Sequence, residues 1–237
     1  MYGVINKIFL ASSSREEVSQ MGTSGGFIKS LLCYMIDKGY KAVITRMNGM
    51  KPETIIAENY QEILTDKTNS CYIENPEWFN ILDKIKDEPL CVAVGLPCQI
   101  KAIDRDDVFK IALLCNHEPK KEYTEWICKL NGVEDPQTII YRNKNGMTEI
   151  NGCEYPFIWS EEFMPDKCKR CSLTGDEADI VCCDPHGLNV KNKTLVISRN
   201  QQATNIIKDA YSVMANEISI DILELSQGNH FRRKKQC

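Results

Sequence analysis

The sequence contains no long apolar run. Its uncharged apolar stretches fall far short of the roughly 20 residues that a membrane helix needs. The opening residues Met1 to Lys7 contain no apolar core of the kind found in a signal peptide. We therefore expect a cytoplasmic protein with no membrane span. The net charge of −4 on 237 residues also argues against non-specific binding to nucleic acid.

Histidine is scarce, and several common site motifs are missing. The three histidines, His117, His186 and His230, show no pattern typical of a partner for a catalytic cysteine, which argues against a cysteine hydrolase. Neither the G-x-G-x-x-G fingerprint nor a Walker loop occurs. A single C-x-x-C pair is present, whereas a typical structural zinc site combines it with a second such pair or with histidines. No residue is identified as a general acid or base.

Cysteine, by contrast, is abundant, with twelve residues in the chain. In a cytoplasmic protein this abundance favours metal or redox chemistry over disulfides. Cys98 and Cys115 each follow a short apolar stretch that predicts a buried strand, and Cys168 and Cys171 form the C-x-x-C pair. Because sites in α/β sheets are built at strand ends, we expect these four thiols to form one metal site. Cys98 would also lie near a helix start, which predicts a lowered thiol pKa.

Whether the four cysteines bind a metal at all, and which metal it is, stays open at this point. Four thiolates suit either an iron–sulfur cluster or a tetrahedral zinc ion. Cationic neighbours of the C-x-x-C pair (Lys167, Lys169 and Arg170) would offset the charge of a thiolate-rich cluster. The adjacent Cys182 and Cys183 cannot easily direct both thiols at one metal. The remaining cysteines are interpreted as small core residues or surface thiols: Cys33, Cys71, Cys91, Cys128, Cys153 and Cys237.

The spacing of apolar residues predicts an α/β fold. Residues 27–36 have helical spacing, whereas 41–45, 90–94 and 109–114 resemble buried strands. After about residue 135 the alternation of predicted strands and helices changes and becomes more mixed. The later predictions are a turn at 143–146, a cysteine-bearing loop at 159–187, a helix at 203–213 and a strand at 218–225. We predict a mixed sheet with flanking helices and an irregular, cysteine-rich cluster-binding loop.

Two further segments each allow two interpretations. The loop Thr23-Ser24-Gly25-Gly26 precedes the helix predicted at 27–36. It fits an ordinary helix cap, or a phosphate cradle in which glycines let the ligand approach the helix amides. The basic run 231–235 fits a solvated tail or a docking segment for a partner.

Taken in order, five motifs resemble the coenzyme F-420 hydrogenase/dehydrogenase beta-subunit family. They are Thr23-Ser24-Gly25-Gly26-Phe27, Gly95-Leu96-Pro97-Cys98-Gln99, Cys115-Asn116-His117-Glu118-Pro119, Tyr141-Arg142-Asn143-Lys144, and Cys168-Lys169-Arg170-Cys171 followed by Ala178-Asp179-Ile180 and Asp184. The resemblance spans roughly residues 20–200. The P-C-Q element and the C-x-x-C element with its downstream D-I are the specific ones.

The resemblance implies an oxidoreductase subunit with FAD and one [4Fe–4S] cluster. Its cluster ligands would be Cys98, Cys115, Cys168 and Cys171. Its flavin-contacting positions would be Thr23, Ser24, Gly25 and Gly26, with Ser70 and Tyr72 in a segment that reads S-K-Y in many members. Residues 1–135 would form the flavin-binding part and 136–237 the part with the cluster-binding loop, together in one compact unit.

The same resemblance implies a direction for the chemistry. Hydride would pass between coenzyme F-420 and the flavin, and single electrons would pass through the cluster to a redox partner. That partner would be a ferredoxin or a hydrogenase/dehydrogenase subunit. NAD(P)H and reduced ferredoxin also fit as electron partners. Many bacterial members carry an N-terminal ferredoxin-like domain that this sequence lacks, so we expect electrons to leave through another protein.

Departures from the family pattern support one alternative, and the four cysteines leave another open. Cys71 replaces a common lysine, and Leu96 replaces a common threonine. The second hypothesis is therefore a cluster-bearing electron relay or adaptor subunit without flavin catalysis. The third is a binding module stabilised by a zinc ion at the four cysteines.

Overall fold

The computed structural model describes residues 2–134, 136, 138–143 and 145–236. These residues form an eight-stranded mixed sheet with flanking helices and a three-stranded antiparallel sheet. The predicted fold class is therefore confirmed. Lys144 of the predicted turn and Cys237 lie outside the described residues. So does residue 135, where we placed the boundary between two parts, and that division stays a prediction.

The strands lie in a non-sequential order. In the chain they are β1 (Lys7–Ser13), β2 (Lys41–Asn48), β3 (Lys51–Ala57), β4 (Cys91–Gly95), β5 (Val108–Leu113), β6 (Ile139–Ile140), β7 (Met147–Ile150), β8 (Cys153–Pro156), β9 (Ile180–Cys183), β10 (Thr194–Ser198) and β11 (Val213–Glu217). The large sheet has the order β11-β1-β10-β9-β5-β4-β2-β3, and β6, β7 and β8 form the small sheet. The central strands β2, β4, β5 and β9 are parallel, while β3, β10, β1 and β11 pair antiparallel.

Helices cover both faces of the large sheet. In the described residues they are α1 (Glu16–Met21), α2 (Phe27–Asp37), α3 (Tyr60–Ile63), α4 (Ile81–Ile85), α5 (Pro97–Lys101), α6 (Glu122–Leu130), α7 (Asp166–Lys169), α8 (Gln201–Asp209) and α9 (Ile220–Gln236), with 3-10 turns at Asp66–Thr68, Pro76–Asn80 and Phe157–Phe163. The apolar sides of α2 and α8 pack on one face, and those of α4, α5 and α9 pack on the other. Because successive strand residues point to opposite faces, Cys182 joins the first core cluster and Cys183 the second.

The strand predicted at 218–225 is wrong, because this segment begins helix α9. Its buried residues are Leu223, Gln227, Gly228, Phe231 and Lys234, and all but Gly228 follow one another at intervals of three or four, as on one face of a helix. Leu225, which the alternating pattern would have buried, is 70% exposed. The basic run 231–235 is therefore not a solvated tail, since it ends a packed helix.

The loop predicted at 159–187 contains more regular structure than expected. Its last part forms β9, which lies between β5 and β10 in the middle of the large sheet. Strands β3, β8 and β11 were also not predicted, and α8 lies a few residues earlier than the helix expected at 203–213.

Among the described residues, no helix combines the length and apolar character needed to cross a lipid bilayer.

Candidate cofactor-binding site

Three parallel strands end at one edge of the large sheet, and each is followed by a candidate site residue. Cys98 comes three residues after β4, Cys115 two residues after β5, and Asp184 directly after β9. The carboxyl ends of parallel strands form the edge where α/β proteins usually place ligands. The fold therefore brings residues that are far apart in sequence to a common edge.

The structure brings the four predicted cysteine ligands together. Burial raises the pKa of the Cys115 thiol, and the nearby Cys168 and Cys98 thiols add to the rise. Burial also raises the pKa of Cys98, with further contributions from Glu118, Cys171 and Cys168. The backbone N–H of Cys171 donates to the carbonyl of Cys168 at 3.3 Å, which folds the C-x-x-C pair into a turn. Each of the four thiols thus lies within electrostatic range of at least one other.

The lowered pKa expected for Cys98 is wrong. Helix α5 begins at Pro97, and the Gln99 side chain accepts a hydrogen bond from the N–H of Leu96 at 2.7 Å. Cys98 follows this helix start, but the helix has only five residues. Burial, followed by the neighbouring Glu118, Cys171 and Cys168, outweighs any effect of the helix terminus, so the pKa of the Cys98 thiol is raised.

A half-buried acidic residue, Glu118, lies beside the cysteines. Burial raises the pKa of Glu118 to about 7, although Lys167 opposes the rise. In the described part of the chain, no three His, Cys, Asp or Glu side chains have the arrangement that a single metal ion requires. The cysteines therefore form a neighbourhood of thiols rather than a compact cage for one ion.

A cavity of about 410 Å³ lies between α2, β2, the segment after α3 and the ends of β4, β5 and β9. This volume falls in the range of about 300–1,000 Å³ usual for small-molecule and cofactor sites. Five of the six predicted flavin-contacting residues line it: Thr23, Ser24, Gly26, Ser70 and Tyr72. Gly25 is not among the described lining residues. Cys115 also lines this first cavity, which connects the cavity to the cysteine group.

The two glycines before α2 are required by packing. Both have positive φ, and Gly26 is the N-cap of α2 without a side-chain hydrogen bond to the helix. A Cβ on Gly25 would lie 2.1 Å from the carbonyl oxygen of Asn192, and one on Gly26 would lie 2.3 Å from that of Val18. The first amides of α2, beginning with Phe27, have no partners within the helix and lie beside the first cavity. The glycines thus place a helix start against the cavity.

Asp184 connects three parts of the site. Its carboxylate accepts hydrogen bonds from Ser24 Oγ at 2.6 Å and from the Arg142 guanidinium at 2.6 Å. Its backbone carbonyl accepts from the side chain of Gln227 in α9. Sequence motifs included Asp184 and Arg142 but did not show that they pair. This contact holds the loop before α2, the segment after β6 and α9 in fixed positions.

Several polar groups at the first cavity have no protein partner or are unusually buried. The side-chain carbonyl oxygens of Asn69 and Asn75 are buried and accept no hydrogen bond in the described structure. Lys29 is 6% exposed and donates to the carbonyl of Thr65 at 2.7 Å. Burial lowers the pKa of Lys29 to about 8. No sequence motif identified these residues, because only the fold places them on one wall.

A second cavity of about 350 Å³ adjoins the first. The two share the wall residues Tyr72, Leu114, His117, Arg142, Cys183 and Asp184. The chain's three histidines all line the second cavity, and α9 contributes a row of polar residues that includes Arg233. Sequence analysis missed this cavity because the α9 segment was predicted as a strand and a solvated tail.

Helix α9 also brings a buried cation to the cysteines. Lys234 is 3% exposed, and its ammonium group favours the thiolate form of Cys115. It forms no ion pair with any carboxylate of the described residues. A buried cation of this kind is costly unless an anion lies close to it.

Comparisons with known proteins agree with the motifs. The family model for the C terminus of the beta subunit of coenzyme F420 hydrogenase/dehydrogenase matches residues 90–221, more than half of the chain. A solved chain in the F420-reducing [NiFe] hydrogenase complex from Methanosarcina barkeri is similar, with a TM-score of 0.80 and 16% identity over 99% of this chain and 91% of that chain. At this identity the likeness shows the fold alone. No curated protein matches. The chain belongs to the coenzyme F420 hydrogenase/dehydrogenase beta-subunit family.

Proposed function

We propose that this chain is an iron–sulfur flavoprotein subunit. It passes electrons between a small-molecule hydride carrier, with coenzyme F-420 favoured, and a redox partner protein. FAD would occupy the first cavity, and one [4Fe–4S] cluster would be held by Cys98, Cys115, Cys168 and Cys171. The partner would be a ferredoxin or another hydrogenase/dehydrogenase subunit. We also propose a cytoplasmic location, because the eleven described cysteines are all free.

The observation that carries the proposal is the position of Cys115. It lines the first cavity and also interacts electrostatically with Cys98 and Cys168. A cluster bound through Cys115 would therefore lie next to a flavin in the cavity. When bound, the flavin would exchange hydride with the carrier and single electrons with the cluster.

The donor set near Cys115 fits an iron–sulfur cluster. In a [4Fe–4S] cluster each cysteine binds a different iron, so the four sulfurs stand farther apart than around one zinc ion. The looser grouping of thiols suits this requirement. The buried ammonium of Lys234 would gain an anionic partner, because a cluster with four thiolate ligands carries negative charge.

The first cavity fits a flavin nucleotide. The N-terminus of α2 and the buried ammonium of Lys29 provide positive electrostatic potential for phosphate. The unpaired carbonyl oxygens of Asn69 and Asn75 can accept hydrogen bonds from ring or ribityl donors. Cys71, which replaces a lysine common in the family, has a half-buried thiol, and burial raises its pKa to about 12. Lys29 supplies a cation to the same cavity.

Other residues of the chain position these groups. The Arg142–Asp184 pair fixes Ser24 and the loop that leads into α2. Thr23 Oγ1 and Ser70 Oγ lie 3.2 Å apart and join two flavin-contacting segments. The proposal therefore assigns these residues to binding and orientation, and it needs no general acid or base.

The test is an anaerobic purification with an absorbance spectrum and measurements of iron, sulfide and flavin. We expect about four irons and one flavin per chain, with flavin bands on a broad iron–sulfur shoulder near ~400 nm. Coenzyme F-420, NAD(P)H and ferredoxin would then be compared as electron partners. Iron without flavin after FAD addition would favour the adaptor hypothesis. A colourless protein containing zinc would show that the redox hypothesis is wrong.

A further inference from the structure

The second cavity has no assigned ligand in the proposed electron path. It lies across a shared wall from the first cavity, and Tyr72, Arg142 and Asp184 belong to that wall. On the far side it is closed by α9, which contributes Ser226, Gln227, Asn229, His230 and Arg233. The matched family residues end at 221, so nearly all of α9 lies beyond them. The far wall therefore lies almost entirely outside the segment that the family model matches.

The charge of this cavity favours an anion. Among the described lining residues, Asp184 is the one acidic side chain, and it is paired with Arg142 at 2.6 Å. Arg233 donates to Asn116, another lining residue, which holds its guanidinium at the cavity wall. The buried Lys234 lies next to it in sequence, and it interacts electrostatically with His230. Among the described lining residues, the side chains of Arg142, Arg233 and Asp184 therefore carry a net positive charge.

The pKa of His230 reflects the positive charges around it, and the side chain offers an unused hydrogen-bonding atom. Burial, followed by Lys234, Arg233 and His186, lowers the pKa of His230 to about 4. Its Nε2 is buried and has no hydrogen-bond partner in the described structure. A buried polar atom of this kind is normally satisfied, by a ligand if not by protein. A phosphate group would satisfy Nε2 and pair with the Arg233 guanidinium.

We propose that the second cavity binds the phosphate group of the small-molecule hydride carrier, with Arg233 as its charged contact and His230 as its hydrogen-bonding contact. The inference rests on the proposed function, because the carrier's redox ring must reach a flavin in the first cavity. The two cavities share six lining residues and therefore adjoin each other. Both oxidised coenzyme F-420 and NADP⁺ contain phosphate, so either can serve as a probe.

The experiment measures equilibrium binding to the anaerobically purified, oxidised protein. Oxidised F-420 and NADP⁺ are followed by equilibrium dialysis, and inorganic pyrophosphate alone by calorimetry. The variant Arg233→Gln is compared with Arg232→Gln, which removes the same charge from the adjacent residue. Arg232 and Arg233 are both exposed, but Arg232 pairs with Glu224 and is not among the described lining residues of the second cavity. Iron and flavin are measured in every sample.

We expect Arg233→Gln to weaken binding of the preferred carrier and of pyrophosphate about 10- to 100-fold, as expected for one hydrogen bond between charged groups. His230→Phe should weaken both by about two- to tenfold. Arg232→Gln should change neither by more than about twofold. Arg233→Lys should restore part of the pyrophosphate binding, because it keeps the charge without the planar fork.

The outcomes separate this inference from the proposed function. Protein that contains both cofactors but binds carrier and pyrophosphate equally well with and without Arg233 would overturn this inference alone. The same holds if the wild-type protein contains both cofactors and binds none of the three probes. Protein that lacks flavin and iron would overturn the proposed function, whatever the pyrophosphate result. Equal losses in the Arg233 and Arg232 variants would show a general charge effect and also overturn the inference.

Discussion

The interior of the large sheet and its carboxyl edge use the same residue types in different ways. In the interior, Cys91 and Cys182 are buried among apolar side chains and act as small core residues. At the edge, Cys98, Cys115 and the C-x-x-C pair gather with buried cations and unpaired carbonyl oxygens. The difference teaches that cysteine alone does not mark the site. The site is recognised instead by several polar or charged groups that lie close together and that the fold leaves without suitable partners.

The largest effect is expected when one of the thiols at the carboxyl edge of the sheet is replaced. Cys115→Ser should reduce iron from about four atoms per chain to near zero, because one missing ligand exposes a cluster to loss. Cys153→Ser is the matched control, since Cys153 is also outside the interior and is exposed. Iron and sulfide analysis of the two variants measures the effect. Equal iron in both would remove Cys115 from the ligand set.

The interior gives the opposite expectation. Cys91 is fully buried, and burial raises the pKa of its thiol to about 11. Cys91→Ser should keep the iron but destabilise the fold by about 2–3 kcal/mol, because the hydroxyl has to be buried among apolar groups. Urea unfolding of apoprotein, beside Cys91→Ala, measures the loss. Loss of iron from Cys91→Ser without a loss of stability would contradict the proposed difference between interior and edge cysteines.

Lys29 tests whether an edge group costs stability in the absence of its ligand. Burial lowers its pKa from 10.5 to about 8, so between these values the unfolded chain binds more protons than the folded one. Stability of the flavin-free protein should therefore rise as pH increases from about 8 to 10.5. Lys29→Met should remove this rise and be more stable by about 1–2 kcal/mol at pH 7.

Urea unfolding across that pH range measures the slope in both proteins. Lys38→Met is a control at an exposed position of the same region. A wild-type slope of zero between the two pKa values would contradict the assignment. We also expect Lys29→Met to bind FAD more weakly, because the cavity loses its buried cation.

The smallest effect concerns Lys234. Removing a cation near the proposed cluster makes addition of an electron less favourable, so Lys234→Met should lower the reduction potential of that cluster by about 50 mV. Lys235→Met, which removes an exposed charge from the next residue, should leave the potential nearly unchanged. Redox titration followed by electron paramagnetic resonance distinguishes the two. An equal shift in both variants would indicate a long-range effect of net charge.

The local spacing of apolar residues predicted those helices and strands whose buried side follows a regular sequence pattern. The apolar spacing of 27–36 and the continuous run at 90–94 gave helix α2 and strand β4 close to their observed bounds. Strand β9 was missed because its four residues follow a long polar segment and carry two cysteines that drew a loop prediction. Helix α9 was missed because the isoleucines of 218–222 alternate like a strand, and tertiary packing of Leu223 and Phe231 decides the outcome.

The site shows the same division. The four cysteines were grouped from sequence because each follows a strand or forms a C-x-x-C turn, and the structure brings them together. Lys29, Asn69 and Asn75 were not identified, because their roles depend on which polar atoms the fold leaves unpaired. Whether a polar group lacks a hydrogen-bond partner depends on how the whole chain packs. The local sequence pattern does not contain that information.

The pairing of β1 has a consequence for the time at which the site forms. Residue 7 of β1 pairs with Ser198 of β10, 191 residues later in the chain. Translation adds about 5–20 residues per second, so the first strand waits roughly 10 to 40 s for its partner to be synthesised. Thr194 of β10 also holds the carbonyl of Ser24 beside the first cavity. The first cavity can therefore be completed only late in synthesis, after the ribosome has passed residue 198.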